Sequence, residues 1–191
     1  MVRGNRSERS AILSPEKRLE VRAIAVIGAG TVGREIALAA LCGGYRTILE
    51  DVSPEVLENA RQWIEQCLQP GLQPNFPEME QFSTASNVND GIREADLIID
   101  AVADELEMKL ELFTIFDKFA KPGAIFASAT SAESIGDFSD VTLYRERCVG
   151  LRFLRDSGTQ QMKIVRTSLT SDETVQACEE VARRMGLEIV S

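Results

Sequence analysis

Residues Ile24–Ala37 read "IAVIGAGTVGREIA", and this stretch decides the fold. The run from Arg22 to Gly28, "RAIAVIG", is short, apolar and stopped by glycine, the pattern of a buried strand. Apolar residues then recur at Val32, Ile36, Ala39 and Ala40, a helical spacing that ends at Gly43-Gly44. Between strand and helix stand Gly28, Gly30 and Gly33 in G-x-G-x-x-G spacing. Gly28 permits a tight turn, Gly30 lets the backbone approach a pyrophosphate, and Gly33 lets the helix pack closely on the strand. The first helical residues, Thr31 and Val32, would offer free N–H groups and the positive helix end to an anion.

The next segment supplies the partner that a glycine turn of this kind needs. "RTILEDV" reads as a second strand with Asp51 near its end. A carboxylate there can hydrogen-bond the adenosine ribose hydroxyls, and it repels a 2′-phosphate. No arginine or lysine stands in "LEDVSPE" to compensate, so the expected cofactor is NAD rather than NADP. An ordinary glycine turn that binds nothing is the other reading of the same residues.

Further along, Ser53 as cap and Pro54 in the first turn open a helix with Val56, Leu57, Ala60, Ile64 and Leu68 on one stripe. It stops at Pro70-Gly71, and "PGLQPNFPEMEQ" reads as a loop. "ADLIIDAVA" is a strand covered on both faces, followed by a helix with Leu106, Leu110, Phe113 and Phe116, and then by the strand "GAIFASAT". Two strands flank a turn in Cys148–Thr167. A last helix, with Thr170 and Glu173 in capping-box spacing, carries Val175, Cys178, Val181 and Ala182, and "LEIV" closes the chain as a strand. Alternating strands and helices define an α/β fold of Rossmann type, a doubly wound and mainly parallel sheet with helices on both faces. The expected organisation is a polar tail over residues 1–21, with a short helix from Pro15 after a Ser14 cap, and one domain over residues 22–191.

Composition excludes several functions. Net charge is −9, and no basic face exists for a nucleic-acid backbone. No apolar run reaches the roughly 20 residues that span a bilayer, and the first twenty residues lack the hydrophobic segment of a secretory signal. Cys42, Cys67, Cys148 and Cys178 lie far apart with no CxxC pair, which reads as free thiols in a cytoplasmic protein. Histidine is absent. Every mechanism that needs an imidazole as base, nucleophile or metal ligand on this chain is therefore excluded.

With these pieces assembled, the chain resembles the NAD-binding half of 3-hydroxyacyl-CoA dehydrogenases over about Arg22 to Val190. "IAVIGAGTVGREIA", "EDVSPEVLENA", "ADLIIDAVADELEMKLELF", "GAIFASATSAESI" and "MKIVRTSLTSDETV" look like family segments in family order. The resemblance implies that Asp104 stands where a family glutamate lies near the nicotinamide ribose, and Lys109 where a lysine lies on the same side. Ser131 matches a serine near substrate and cofactor, although Ala129 replaces an asparagine two residues earlier. Blandly read, Asp104 and Lys109 are a helix-start charge and a surface charge.

At the family's reacting centre the likeness fails. A His-Phe-Phe-Asn-Pro pattern reads Arg152-Phe153-Leu154-Arg155-Asp156 here, and the glutamate that pairs with the histidine is Arg166. A guanidinium has no acceptor lone pair and stays protonated, so it cannot take the hydroxyl proton as hydride leaves. The resemblance also implies a projecting basic element for coenzyme A. The corresponding "EVLENARQWIEQCLQPGLQPNFPEMEQ" holds five glutamates, one arginine and no lysine. The family's C-terminal helical domain would begin roughly where the chain ends at Ser191.

The expectation is an NAD-binding relative that lacks the catalytic His/Glu pair. The alternative is an active NAD-dependent oxidoreductase of fatty acid metabolism, acting on a 3-hydroxyacyl-CoA or related hydroxy acid with a base from Asp104, Lys109 or a partner chain. An interaction module with an empty turn is the third reading. In family geometry Arg152 and Arg166 meet across adjacent strands. They form either a pocket for a small anion near Ser131 or a solvated face. An open cleft, which an acyl-CoA could enter, and a bare Trp63-bearing helix favour self-association into a homo-oligomer.

Overall fold

A computed structural model describes residues 19–68, 79–103, 105–129, 135–156 and 159–191. Its elements run β1 (Ala23–Ile27), α1 (Thr31–Cys42), β2 (Arg46–Glu50), α2 (Pro54–Cys67), β3 (Phe82–Ala85), α3 (Val88–Ile92) and β4 (Leu97–Asp100). There follow α4 (Leu106–Phe119), β5 (Ile125–Ser128), α5 (Ile135–Asp140), β6 (Cys148–Asp156), β7 (Thr159–Arg166), α6 (Asp172–Arg184) and β8 (Glu188–Val190). The strands form one sheet in the order β3-β2-β1-β4-β5-β6-β7-β8. All neighbours pair in parallel except β6 and β7, an antiparallel hairpin. Strand order reverses between β1 and β4, so a crevice opens above their carboxyl ends, the place where open α/β sheets bind ligands.

Two apolar layers cover the sheet. On one face α1, α2 and α6 lay Ile36, Ala40, Leu57, Ile64, Cys178 and Val181 against Ile24, Val26, Leu49 and Leu151. On the other, Phe113 and Phe116 of α4 and Phe138 of α5 pack on Ile27, Ile98 and Phe126. The doubly wound fold read from the sequence is the one observed.

Several local expectations need correction. The strand β3 and the short helices α3 and α5 were not anticipated, because five- or six-residue helices show too few turns for a period to emerge. The last helix is capped by Ser171, whose hydroxyl accepts from the Thr174 N–H, rather than by Thr170. Thr170 is buried and donates to the Cys148 carbonyl at 2.8 Å, tying the start of α6 to β6. Trp63 is not bare, since it packs on the core and the Arg34 guanidinium lies 4.7 Å from its ring centroid. The expected Pro15 helix and the Pro70-Gly71 stop lie outside the described residues.

Candidate functional site

The glycine turn sits at the reversal point of the sheet. Gly28 has φ +99°, a left-handed conformation that favours glycine. A Cβ there would also press on the backbone of Ala101 and Val102 at 3.1 Å, the link that leaves β4. At Gly33 a Cβ would lie 1.8 Å from the Gly28 carbonyl oxygen, so helix and turn can meet only without a side chain. Gly30 is the opposite case: a Cβ would meet nothing within 4 Å. The backbone at Gly30, Thr31 and Val32 is therefore open to an approaching group.

Among the described residues, no side chain caps that end of α1. Gly30 caps the helix without a side-chain hydrogen bond, and its first turn holds no acidic residue. Thr31 and Val32 are exposed. The N–H groups that an α-helix leaves unsatisfied at its start are thus offered to a pyrophosphate, and the cradle fits the cofactor expected from the sequence.

Asp51 does more than stand ready for a ribose. Its Oδ2 accepts from the Ala29 N–H at 2.9 Å, and its Oδ1 accepts from the Ser53 N–H at 2.9 Å. One carboxylate therefore braces the glycine turn and the start of α2 together. An ionised carboxylate offers about four lone-pair sites, so acceptors remain for ribose hydroxyls.

Lys109 is buried, against the reading of it as a surface charge. Its side chain has no exposure. Its ammonium lies 2.7 Å from Asp100 Oδ2, and Ser128 Oγ donates to the same oxygen at 2.9 Å. The Val102 N–H donates to Asp100 Oδ1 at 3.1 Å. Lys109 thus stabilises the carboxyl end of β4 from beneath, next to the glycine turn, and is not presented to a substrate. Neither Asp100 nor Ser128 was anticipated as a partner. The signal was Asp100 itself, a carboxylate ending an otherwise apolar run, which required a buried counter-charge. Asp104 and Ser131 lie outside the described residues.

The arginines do not form one pocket. In the β6–β7 hairpin Arg152 stands opposite Lys163, and Arg166 stands opposite Val149. Side chains alternate along a strand and directly paired residues share a face, so Arg152 and Arg166 point to opposite sides of the sheet. Arg166 is engaged at the start of α6, 2.8 Å from Asp172 Oδ1 and donating to the Thr170 carbonyl at 2.8 Å. Arg155 reaches Glu35 of α1 at 3.5 Å. Arg152 is exposed and makes no ion pair among the described residues. The expected meeting of Arg152 and Arg166 is overturned by this register, and with it the anion pocket built from both.

Four free thiols are present, Cys148 and Cys178 buried and Cys42 and Cys67 partly so. Burial pushes Cys148 up to about 11 and Cys178 up to about 12, which makes both inert as nucleophiles. No cluster of three metal-ligating residues occurs among the described residues. No described helix is long and apolar enough to cross a membrane.

A mainly parallel sheet with a glycine turn at its reversal point, an uncapped helix start and the acidic Asp51 just past β2 defines a dinucleotide-binding Rossmann domain. The family profile described as "3-hydroxyacyl-CoA dehydrogenase, NAD binding domain" matches residues 23–191. The chain belongs to that family and is its NAD-binding domain. It is 29% identical to the mitochondrial hydroxyacyl-coenzyme A dehydrogenase of Sus scrofa, over 100% of this chain and 65% of the relative. A probable 3-hydroxybutyryl-CoA dehydrogenase of Bacillus subtilis is 28% identical, over 88% of this chain and 61% of its own length. Among solved structures, 3-hydroxybutyryl-CoA dehydrogenase of Escherichia coli K12 superposes with a TM-score of 0.80 at 27% identity, covering 90% of this chain and 38% of that one. The chain thus spans under two thirds of the length of these relatives.

Proposed function

We propose that this chain holds NAD at the glycine turn without carrying out the family's proton-coupled hydride transfer. The bound cofactor would supply a hydride acceptor. What the chain adds is the cradle: Gly28, Gly30 and Gly33 shape the turn, the N–H groups of Thr31 and Val32 receive the pyrophosphate, and Asp51 receives the ribose. Asp104 and Ser131 are proposed to line the nicotinamide side.

The observation that carries the non-catalytic reading is the β6–β7 register. Opposite Arg152, where the resemblance implies a histidine, this register sets Lys163 and no carboxylate, while Arg166 faces the other side of the sheet. Neither arginine has a lone pair to accept a proton. A positioned general base contributes about 10²–10⁴-fold in rate, and Lys109, sealed against Asp100, supplies no substitute. The free thiols support a reducing compartment such as the cytoplasm, although the Sus scrofa relative is named as mitochondrial.

The test uses the whole chain. NAD should raise the melting temperature and NADP should not. Acetoacetyl-CoA should leave NADH unconsumed, with or without a helical partner chain added. Sustained turnover by this chain alone, lost on Asp51→Ala, would replace this reading with the active oxidoreductase.

A further inference from the structure

Glu50, the last residue of β2, is a buried carboxyl that nothing in the cofactor reading uses. It is 2% exposed, and its Oε1 has no hydrogen-bond partner. Its seat explains the burial. Glu50 pairs with Ile27 on one side and Ala85 on the other, and α3 closes over it. A Cβ at Gly91 would lie 3.3 Å from the Glu50 Cβ and 3.4 Å from its Cγ, so only a glycine lets the helix settle this close.

Among the described residues no cation pairs with the carboxyl. On its own strand the next residue is Asp51, a negative charge. On β1 and β3 its partners are apolar. On α3 the acidic residue is Asp90, exposed and accepting from Asn87 at 2.7 Å. Across β1, in the same row of the sheet, stands Asp100, already paired with Lys109. Arg46 and Glu94 pair with each other at the other end of β2. An unpaired buried carboxylate is costly, and a second anion beside it makes the charged form worse. Burial and then Asp51 push Glu50 up to about 7.

Glu50 is also wired to the turn. Its backbone carbonyl accepts from the Gly28 N–H at 2.8 Å, and the adjacent Asp51 carboxylate accepts from the Ala29 N–H at 2.9 Å. The residue that titrates and the residue that braces the cradle are therefore neighbours in sequence and in space.

We propose that Glu50 is a positioning residue of the dinucleotide site, and that the chain binds NAD most tightly while this carboxyl is protonated. This rests on NAD occupying the glycine turn. Ionising Glu50 adds a negative charge beside Asp51, whose carboxylate braces the turn that would receive the pyrophosphate. Binding and ionisation therefore oppose each other, and by linkage NAD binding draws a proton onto Glu50.

Calorimetry of NAD on the full chain, at about pH 6 and about pH 8.5 and in two buffers of different ionisation enthalpy, tests this. The expected result is an affinity roughly three- to tenfold weaker at the higher pH, with net proton uptake near neutrality. Glu50→Gln keeps the shape and removes the charge, so it should bind tightly at both pH values with no Glu50-linked proton uptake. The chain has no histidine to contribute a competing signal. Superimposable pH profiles and proton counts for wild type and Glu50→Gln overturn this inference and leave the cofactor assignment standing. Absence of NAD binding to either chain at any pH overturns both.

Discussion

Lys109 and Asp100 meet at 2.7 Å with neither side chain exposed, and this ion pair joins α4 to the carboxyl end of β4 directly beside the glycine turn. Ser128, one strand further, completes the arrangement by donating to the same carboxylate oxygen. The lysine that the resemblance sets on the cofactor's side is wholly buried in this arrangement. Its ammonium is turned inward because Asp100 ends an apolar strand and needs a counter-charge.

Breaking that pair from one side should therefore be severe. Lys109→Met leaves Asp100 buried without its counter-charge, and urea denaturation should show a loss of about 3–5 kcal/mol. Adding Asp100→Asn to Lys109→Met should recover part of the loss, because the stranded charge is gone. Additive losses in the double variant would mean that the two side chains act independently.

The glycines divide by what surrounds them. Gly33→Ala drives a methyl group onto the Gly28 carbonyl, so the turn must open, and both the melting temperature and NAD binding should fall. Gly30→Ala meets no atom of the protein, so the chain should fold with nearly unchanged stability while NAD binds more weakly. Thermal melts with and without NAD separate the two outcomes, and equal destabilisation by both substitutions would contradict the contrast.

Stability should respond to pH in two windows of opposite sign. Glu50 is raised from 4.5 to about 7, so the folded chain holds a proton there that the unfolded chain has released. Its contribution is greatest below about 4.5, falls as pH rises towards about 7, and is level above that. Glu50→Gln should accordingly be more stable than wild type above neutrality and close to it in mild acid. Burial pushes Asp96 upward, but the Lys121 ammonium and the N–H groups of Arg22 and Ala23 prevail and hold it below the ordinary 3.8. That contribution is present above 3.8 and is lost as pH falls beneath it. Denaturant midpoints across the pH range, for wild type, Glu50→Gln and Asp96→Asn, should resolve both.

Restoring the family's residue types should not restore chemistry. Arg152→His with Arg166→Glu places imidazole and carboxylate on opposite faces of the sheet, so NADH consumption with acetoacetyl-CoA should stay at background. Arg152→His with Lys163→Glu puts them directly opposite on one face, with Cβ atoms about 4.5–5.5 Å apart. The histidine in this second variant should titrate higher than in Arg152→His alone, as nuclear magnetic resonance would reveal. A raised histidine in the Arg166→Glu variant instead would show that the register differs from the one described.

Local pattern fixes whatever depends on neighbours a few positions away. The spacing of Gly28, Gly30 and Gly33 dictates a turn, Ser53-Pro54 starts a helix, and the alternation of apolar runs gives a doubly wound sheet, because backbone sterics and hydrophobic period act over one or two turns. That Arg152 and Arg166 offer no lone pair to a proton is equally a property of residue type. Tertiary structure alone decided the rest. Lys109 faces inward because the β4–α4 crossover packs it onto Asp100, and Arg152 faces away from Arg166 because the hairpin register sets their faces. Glu50 is an acid kept from water because α3, a helix too short to announce itself, closes over it at Gly91. Burial and charge partnership arise between segments far apart in the chain, and no local pattern encodes which of them will meet.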